Sequence, residues 1–255
     1  MSATTTTASP DPKHAVGSLR GLSIVLPCFN EAENLPDVLR HATDAAERCA
    51  LAHEIIVVDD GSTDETLAAA GAAIARDPRI RLIVHAHNRG QGVALRSGIG
   101  AAQQPWVLLI DADQQFDVGE LESFLPDAAS ADVIVGWRIL PQGRVGARAA
   151  TALWNRFVRT ALDVPVRDVG CGFRLVRREL LESLGLRTSG ALFGAELLVK
   201  SHAAGARIAE VPVHHRARVA GRRTSARRRF SARTLRELAG LWRPGNDAPV
   251  RPVGA

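Results

Sequence analysis

Residues 54–64 read Glu54-Ile55-Ile56-Val57-Val58-Asp59-Asp60-Gly61-Ser62-Thr63-Asp64, an unbroken run of β-branched side chains followed by a polar turn rich in carboxylates. A strand with one face in water alternates apolar with polar residues. An unbroken run is instead expected of a central strand in a parallel sheet covered on both faces. Working outward, residues 22–26 repeat the pattern and give way to Pro27-Cys28-Phe29-Asn30-Glu31, while 106–110 give way to Asp111-Ala112-Asp113-Gln114-Gln115. Residues 81–84 read as a further strand. The intervening stretches 33–50, 63–76 and 92–102, rich in Ala, Leu, Glu and Arg, read as helices. This alternation predicts an α/β fold with a Rossmann-like, mostly parallel sheet flanked by helices. Beyond a strand at 132–135 the pattern loosens, with helices expected at 148–162 and 195–204 and a strand at 207–211.

The chain has 255 residues, 46% of them hydrophobic and 23% charged, enough for one well-cored domain and incompatible with disorder throughout. No apolar run approaches the roughly 18 residues that a membrane span needs, which excludes an integral membrane protein and leaves peripheral attachment open. The opening residues, with Thr4 to Thr7, Pro10 and Pro12, lack the basic start and apolar core of a secretory signal. They read as a disordered leader, 1–20, of a cytoplasmic protein, followed by a body over 21–215 and a partly disordered basic segment over 216–255. Cys28, Cys49 and Cys171 are odd in number and never spaced as CxxC, so neither a disulfide framework nor a cysteine zinc site is supported. The formal net charge of +5 is unevenly placed: from His214 onward 11 Arg face Glu237 and Asp247, a net of +9, while residues 1–213 carry a net of −4.

In an open parallel sheet, ligands bind beyond the carboxyl ends of the strands, so the polar residues after each apolar run are the ones to inspect. In the second cluster Ser62 and Glu65 have the S-x-x-E spacing of a helix capping box. Capping leaves Asp59 and Asp60 unexplained, since adjacent carboxylates at a buried strand end repel each other unless something donates to them. In Asp111-Ala112-Asp113, alternate residues of an extended segment point the same way, so Asp111, Asp113 and Gln115 present oxygen to one hard divalent cation. A solvated acidic loop is the plainer alternative. Gly90 and Gly92 read as a tight turn ahead of a helix more than as a phosphate cradle. His85, His87, His214 and His215 have no diagnostic metal spacing and read as surface residues. Cys171 reads as a packed thiol, and Trp154, Phe157 and Leu162 as the apolar face of a helix.

Taken in order, Pro27 to Glu31 resembles the motif P-x-Y-N-E, Asp59 to Asp64 resembles D-D-G-S-x-D, and Asp111 to Gln115 resembles D-A-D-x-Q. Asn88-Arg89-Gly90-Gln91-Gly92, Gly136-Trp137-Arg138, Asp168 to Arg174, Glu210-Val211-Pro212-Val213 and Arg218-Val219-Ala220-Gly221 continue the series. The set resembles glycosyltransferase family 2, and within it the polyprenyl-phosphate sugar synthases typified by dolichyl-phosphate mannosyltransferase. That resemblance implies a GT-A fold. It implies that Pro27, Phe29, Glu31, Val58, Asp60, Asp111 and Ala112 hold the donor nucleotide, linked to GDP or UDP. Asp111, Asp113 and Gln115 would hold Mg²⁺ or Mn²⁺, and Arg138 and Arg218, with Arg223 and Thr224, would meet the acceptor phosphate. Two departures stand out: Phe29 replaces the usual tyrosine, and Thr224 stands where some members carry a phosphate-binding lysine.

The implied reaction is inverting transfer of a sugar from a nucleotide sugar to a polyprenyl phosphate. The phosphate is already anionic, so positioning and charge compensation, by the metal that Asp113 would help to hold for the leaving diphosphate and by Arg138 and Arg218 for the incoming phosphate, suffice without a general base. A hydroxyl acceptor, as in relatives that glycosylate a saccharide or small molecule, would need a carboxylate base such as Asp113, Glu120 or Glu196. A sugar nucleotidyltransferase is disfavoured, because such enzymes carry a Gly-rich, Arg-containing loop where this chain has Pro27 to Glu31. The Arg-rich tail also raises a non-enzymatic nucleic-acid binder, but the tail has few interleaved aromatics and the strand ends are acidic. No nucleic-acid partner is expected. An anionic membrane surface suits the tail better, at roughly 1 kcal/mol per basic residue, and places the protein on the inner face of the membrane.

Overall fold

The sheet forms because its central strands are apolar on both faces over most of their length, and the buried Ser23 and Glu54 near their starts bond each other. In the computed structural model, which describes residues 18–139, 153, 155, 156, 159, 160, 164–190 and 192–218, β2 (His53–Asp59) runs between β1 (Leu22–Cys28) and β3 (Ile80–Val84). Ile55 to Val58 are fully buried, and each such side chain stabilises the fold by about 1.5–3 kcal/mol over its exposed state. β4 (Trp106–Leu109) pairs in parallel with the other side of β1. Helix α1 (Leu35–Cys49) carries Pro at its start, Asp37 in its first turn and Arg48 in its last, and buries Leu35, Val38, Leu39, Ala42, Ala46 and Cys49 at helical spacing. α2 (Thr66–Ile74) joins it on one face, and α3 (Gln91–Ala101) covers the other.

Past β4 the chain makes a run of 3-10 turns (Val118–Ala129), started by Asp117, whose side chain accepts from the Gly119 N–H. β5 (Val133–Arg138) follows, and later come β6 (Arg174–Arg177), α4 (Arg178–Ser183), α5 (Phe193–Ala203) and β7 (Ile208–Val213). The seven-stranded order is β3-β2-β1-β4-β6-β5-β7, with β6 antiparallel to both neighbours and every other pairing parallel. β6 thus fills the seam between β4 and β5, a strand the apolar pattern did not reveal. Its outer arginine, Arg177, lies over the ring of Trp106 at 4.5 Å.

Leu19 is buried and bridges to Ala50. Arg216 and Arg218 pair with Asp117 and Glu31. The helix expected at 148–162, including Trp154, Phe157 and Leu162, lies largely outside the described residues, as does the segment from 219 onward with Arg223 and Thr224. Among the described residues, no helix is long and apolar enough to cross a membrane.

Candidate active site

The loops that leave β1 and β2 bond to each other. Asn30, at φ 56°, donates its N–H to the Ser62 hydroxyl at 2.9 Å and accepts the Thr63 N–H at 2.8 Å. Glu31 N–H donates to Thr66 Oγ1 at 2.9 Å. Ser62 is therefore not a helix cap: α2 starts at Thr66, with no side-chain bond from Glu65 at its N-cap. The expected capping box gives way because the Ser62 hydroxyl is used by the neighbouring loop.

The repulsion anticipated between Asp59 and Asp60 is answered from within the chain. Asp59 accepts from the Ser62 N–H at 3.2 Å. Asp60 accepts from the Arg89 N–H at 2.9 Å, the Gly90 N–H at 2.7 Å and the Nδ1 of His85 at 2.7 Å. His85 is buried, not a surface residue, and so is His215, whose ring centroid lies 5.3 Å from that of Phe116. Gly90, at φ 100°, must be glycine on two counts, since a Cβ there would also stand 2.5 Å from the Ser189 carbonyl oxygen. That same carbonyl accepts the Gly92 N–H at 3.0 Å, so these glycines seat α3 on the loop 188–189.

The loop after β4 is bent, with Gln114 at φ 57°, and is not the extended segment assumed from alternation. Asp111 and Asp113 nonetheless stand close enough to interact. Burial, with Asp113 beside it and Arg174 opposing, pushes the Asp111 carboxyl up to about 7. Asp111 Oδ1 accepts from Gln91 Nε2 at 2.5 Å, and a Cβ on Gly172 would stand 2.7 Å from its Oδ2. Asp113 accepts from the Gln115 N–H at 3.1 Å and lies 3.6 Å from Arg218 Nη1. Arg218 Nη2 bonds Glu31, whose carboxyl is raised by burial despite Asn34 and Arg218. The Gln115 side chain turns toward the C-terminal segment, donating to the Arg216 carbonyl at 3.4 Å.

That segment crosses the loop 111–117 as a strap. His214 N–H donates to Glu120 at 2.9 Å, Arg216 N–H to the Gln115 carbonyl at 2.8 Å, and Arg216 Nη2 to Asp117 at 2.8 Å. Of the residues assigned to the nucleotide, Pro27 and Phe29 are half-buried at the loop, while the side chains of Val58 and Ala112 lie in the core. Val58 can therefore offer a ligand only its backbone.

Arg138 leaves the end of β5 and is held by Asp168 through two bonds, Nε at 2.6 Å and Nη2 at 2.8 Å. Asp168 also accepts from Asn155 Nδ2 at 2.9 Å. Burial alone would raise the Asp168 carboxyl, but the bonded Arg138 holds it below the usual range. Asp168 was visible in the sequence only as the first residue of a motif; an acid ahead of Gly-rich Gly170 to Gly172 was the available signal. Arg174, buried on β6, donates to the Val169 carbonyl at 3.0 Å, and burial pulls its guanidinium down. Burial pushes the Cys171 thiol up to about 12, which leaves no thiolate to act as nucleophile. Glu196 is equally unsuited to act as a base: its carboxylate accepts the Arg187 and Thr188 N–H groups and pairs with Lys200.

Asp111 and Asp113 thus lie on one loop, where Arg218 of the strap already meets Asp113. Among the described residues no group of three or more His, Cys, Asp or Glu is placed to hold a metal ion. Residues 23–185 match the model described as Glycosyl transferase family 2. The chain belongs to glycosyltransferase family 2. An uncharacterized glycosyltransferase of Mycobacterium tuberculosis is 35% identical over 208 residues, 79% of this chain and 88% of that protein. The undecaprenyl-phosphate 4-deoxy-4-formamido-L-arabinose transferase of Pseudomonas fluorescens is 33% identical over 69% of this chain, which spans 50% of that enzyme. Among solved structures, glucosyl-3-phosphoglycerate synthase of M. tuberculosis, in complex with Mn²⁺, UDP-glucose and phosphoglyceric acid, has a TM-score of 0.66 at 23% identity, covering 88% of this chain and 78% of that one. The sheet order and these neighbours identify a GT-A fold, and the family 2 protein is a glycosyltransferase.

Proposed function

We propose that this glycosyltransferase moves a sugar from a nucleotide-sugar donor, GDP- or UDP-linked, to a polyprenyl phosphate with inversion at the anomeric carbon. The observation that carries the reading is the Asp111–Asp113 pair, its carboxyl raised to about 7 by burial and mutual repulsion, at the mouth between β1 and β4. A carboxylate pair that resists ionisation alone suits a divalent ion completed by diphosphate oxygens and water. Asp111 and Asp113 would hold Mg²⁺ or Mn²⁺, with Gln115 joining once its amide leaves Arg216. When bound, the ion supplies charge neutralisation for the departing nucleoside diphosphate. Phe29 offers a ring face to the donor base, Pro27 and Glu31 border it, and Asp60 braces the pocket wall. Arg218, already between Glu31 and Asp113, is drawn to incoming phosphate. Arg138, fixed in orientation by Asp168, faces the acceptor phosphate, with Arg223 and Thr224 following in the sequence. The relatives named as undecaprenyl-phosphate sugar transferases support this acceptor class.

The polybasic run Arg222 to Arg229 suits attachment to an anionic membrane, where such an acceptor resides. Salt-sensitive binding to anionic vesicles that vanishes when these arginines are neutralised is the expected result; unchanged binding overturns it. The transfer itself is tested with radiolabelled UDP- and GDP-sugars and undecaprenyl phosphate, with Mn²⁺ present. Label extracted into organic solvent and released by mild acid supports the proposal. A product that stays in water, formed on a saccharide or small-molecule hydroxyl, rejects the lipid acceptor and retains the transferase.

A further inference from the structure

Both oxygens of Asp60 are engaged by the protein itself, and the group that completes this arrangement is His85. Its side chain is 5% exposed and that of Asp60 4%, and Nδ1 lies 2.7 Å from Asp60 Oδ1. The far ring nitrogen, Nε2, lies 2.9 Å from the Ser97 hydroxyl on α3. An ionised carboxylate only accepts, so Nδ1 carries a hydrogen and Nε2 is the nitrogen that meets Ser97. His85 N–H in turn donates to the Asp59 carbonyl at 2.9 Å, anchoring the first residue after β3.

The loop that starts at His85 ends at Gly90, whose N–H and that of Arg89 both donate to Asp60. The next residue, Gln91, opens α3 and donates its Nε2 to Asp111 Oδ1 at 2.5 Å. Hydrogen bonds therefore run from Ser97 of α3 through His85 and Asp60 to the amides of 89 and 90, and the backbone leads from there to Gln91, whose side chain bonds the carboxylate at the mouth. Such a network rigidifies when every member is satisfied, and each link here has its partner.

We infer that His85 is a positioning residue: acting through Asp60 and the Arg89 and Gly90 amides, it fixes where Gln91 stands and so how Asp111 is aimed. The inference rests on the proposed role of Asp111 in holding the donor diphosphate with a divalent ion. It also makes Asp60 a brace for the loop first and a donor contact only second.

The test uses the full chain with His85→Leu, His85→Asn, Gln91→Ala and the His85→Leu/Gln91→Ala double variant. Asn keeps an N–H on the Asp60 side, so it separates loss of the donor from loss of the ring. Without ligand, deuterium exchange at the Arg89 and Gly90 amides should quicken by about tenfold or more in His85→Leu and stay near wild type in His85→Asn. Unchanged exchange in His85→Leu overturns the inference, whatever the site binds. Titration with Mn²⁺ and UDP should show weakening of about tenfold in His85→Leu, and less than about twofold further loss when the same change is added to Gln91→Ala. Fully additive losses mean that His85 does not act through Gln91, and also overturn it. A wild-type chain that binds neither Mn²⁺ nor UDP sinks the proposed function instead, and the exchange measurement still decides the role of His85.

Discussion

The two sides of the sheet hold their carboxylates with different partners. On the side of β2, β1 and β4, acids at the strand ends are held largely by neutral donors: Asp59 by the Ser62 N–H, Asp60 by the Arg89 and Gly90 N–H groups, Asp111 by the Gln91 amide. On the side of β6, β5 and β7 they are held by guanidinium groups: Asp168 by Arg138, Asp132 by Arg177 and Arg207, Glu210 by Arg167. A backbone N–H orients a carboxylate without cancelling its charge, whereas an arginine cancels it. On the first side Asp59, Asp60 and Asp111 are thus held without an arginine side chain, while Glu31 and Asp113 share Arg218. The second is neutralised pair by pair, with Asp132 meeting two arginines. One sheet thus holds the acids of its two halves in two different ways, a division that suits the proposed transfer from a nucleoside diphosphate to a phosphate.

Removing an acid of the first side is the most direct way to break this division. Asp113→Ala should lower sugar transfer by about a thousandfold, the scale of losing the charge compensation that an ion at the proposed site would supply, with an unchanged melting temperature. Full activity in that variant, or in wild type with a chelator, refutes the assignment. On the opposite side the larger effect falls on stability. Asp168→Asn leaves Arg138 buried beside a neutral group and should cost about 3 kcal/mol in denaturant unfolding. The sign with pH follows from the depressed Asp168 carboxyl: its contribution is full above the unfolded value of about 3.9 and fades as pH falls through the lower folded value. Wild type should lose this increment on acidification and Asp168→Asn should not, as urea midpoints at several pH values will read.

A change in aim, without any change in charge, gives the next effect. Gly172→Ala places a methyl group 2.7 Å from Asp111 Oδ2, and a displaced carboxylate should lower kcat by about a hundredfold or less while the fold persists. A kcat equal to that of wild type would mean that the loop yields freely. The smallest effect is expected from Arg218→Lys, which keeps the charge between Glu31 and Asp113 but loses the two-pronged reach. About a tenfold rise in KM for the phosphate-bearing substrates, with kcat little changed, is the expected split.

The side of β1, β2 and β4 was also the legible one. β1, β2 and β4 announce themselves as apolar runs, and their polar followers are contiguous in sequence, so the position of each loop could be read directly. What the residues after Asp59 and Asp60 do was less accessible, because Asn30, Ser62, His85 and Gly90 are brought together only by neighbouring strands. His85 looked like a surface histidine since nothing local distinguishes it from His87. On the other side, β6 has only Leu175 and Val176 between two arginines, and its pairing with Trp106 to Leu109 is set by contacts about seventy residues apart. The 3-10 run from Val118 to Ala129 contains Pro126 and has no clean helical period.

The antiparallel β6 has a consequence for how the molecule is assembled. β1, β2, β3 and β4 can pair as they emerge, each with a neighbour that is already present or soon to come, but β5 has no partner in that sheet until residues 174–177 arrive to join it to β4. Closing a loop of that span is a slow, non-local event. Synthesis should therefore yield an early half bearing the acidic loops and a late half bearing the arginines, joined in one step. Pulsed hydrogen exchange during refolding, with protection at Ile55 to Val58 preceding that at Ile134 and Leu175, is the pattern expected; simultaneous protection would mean that the seam closes with the rest.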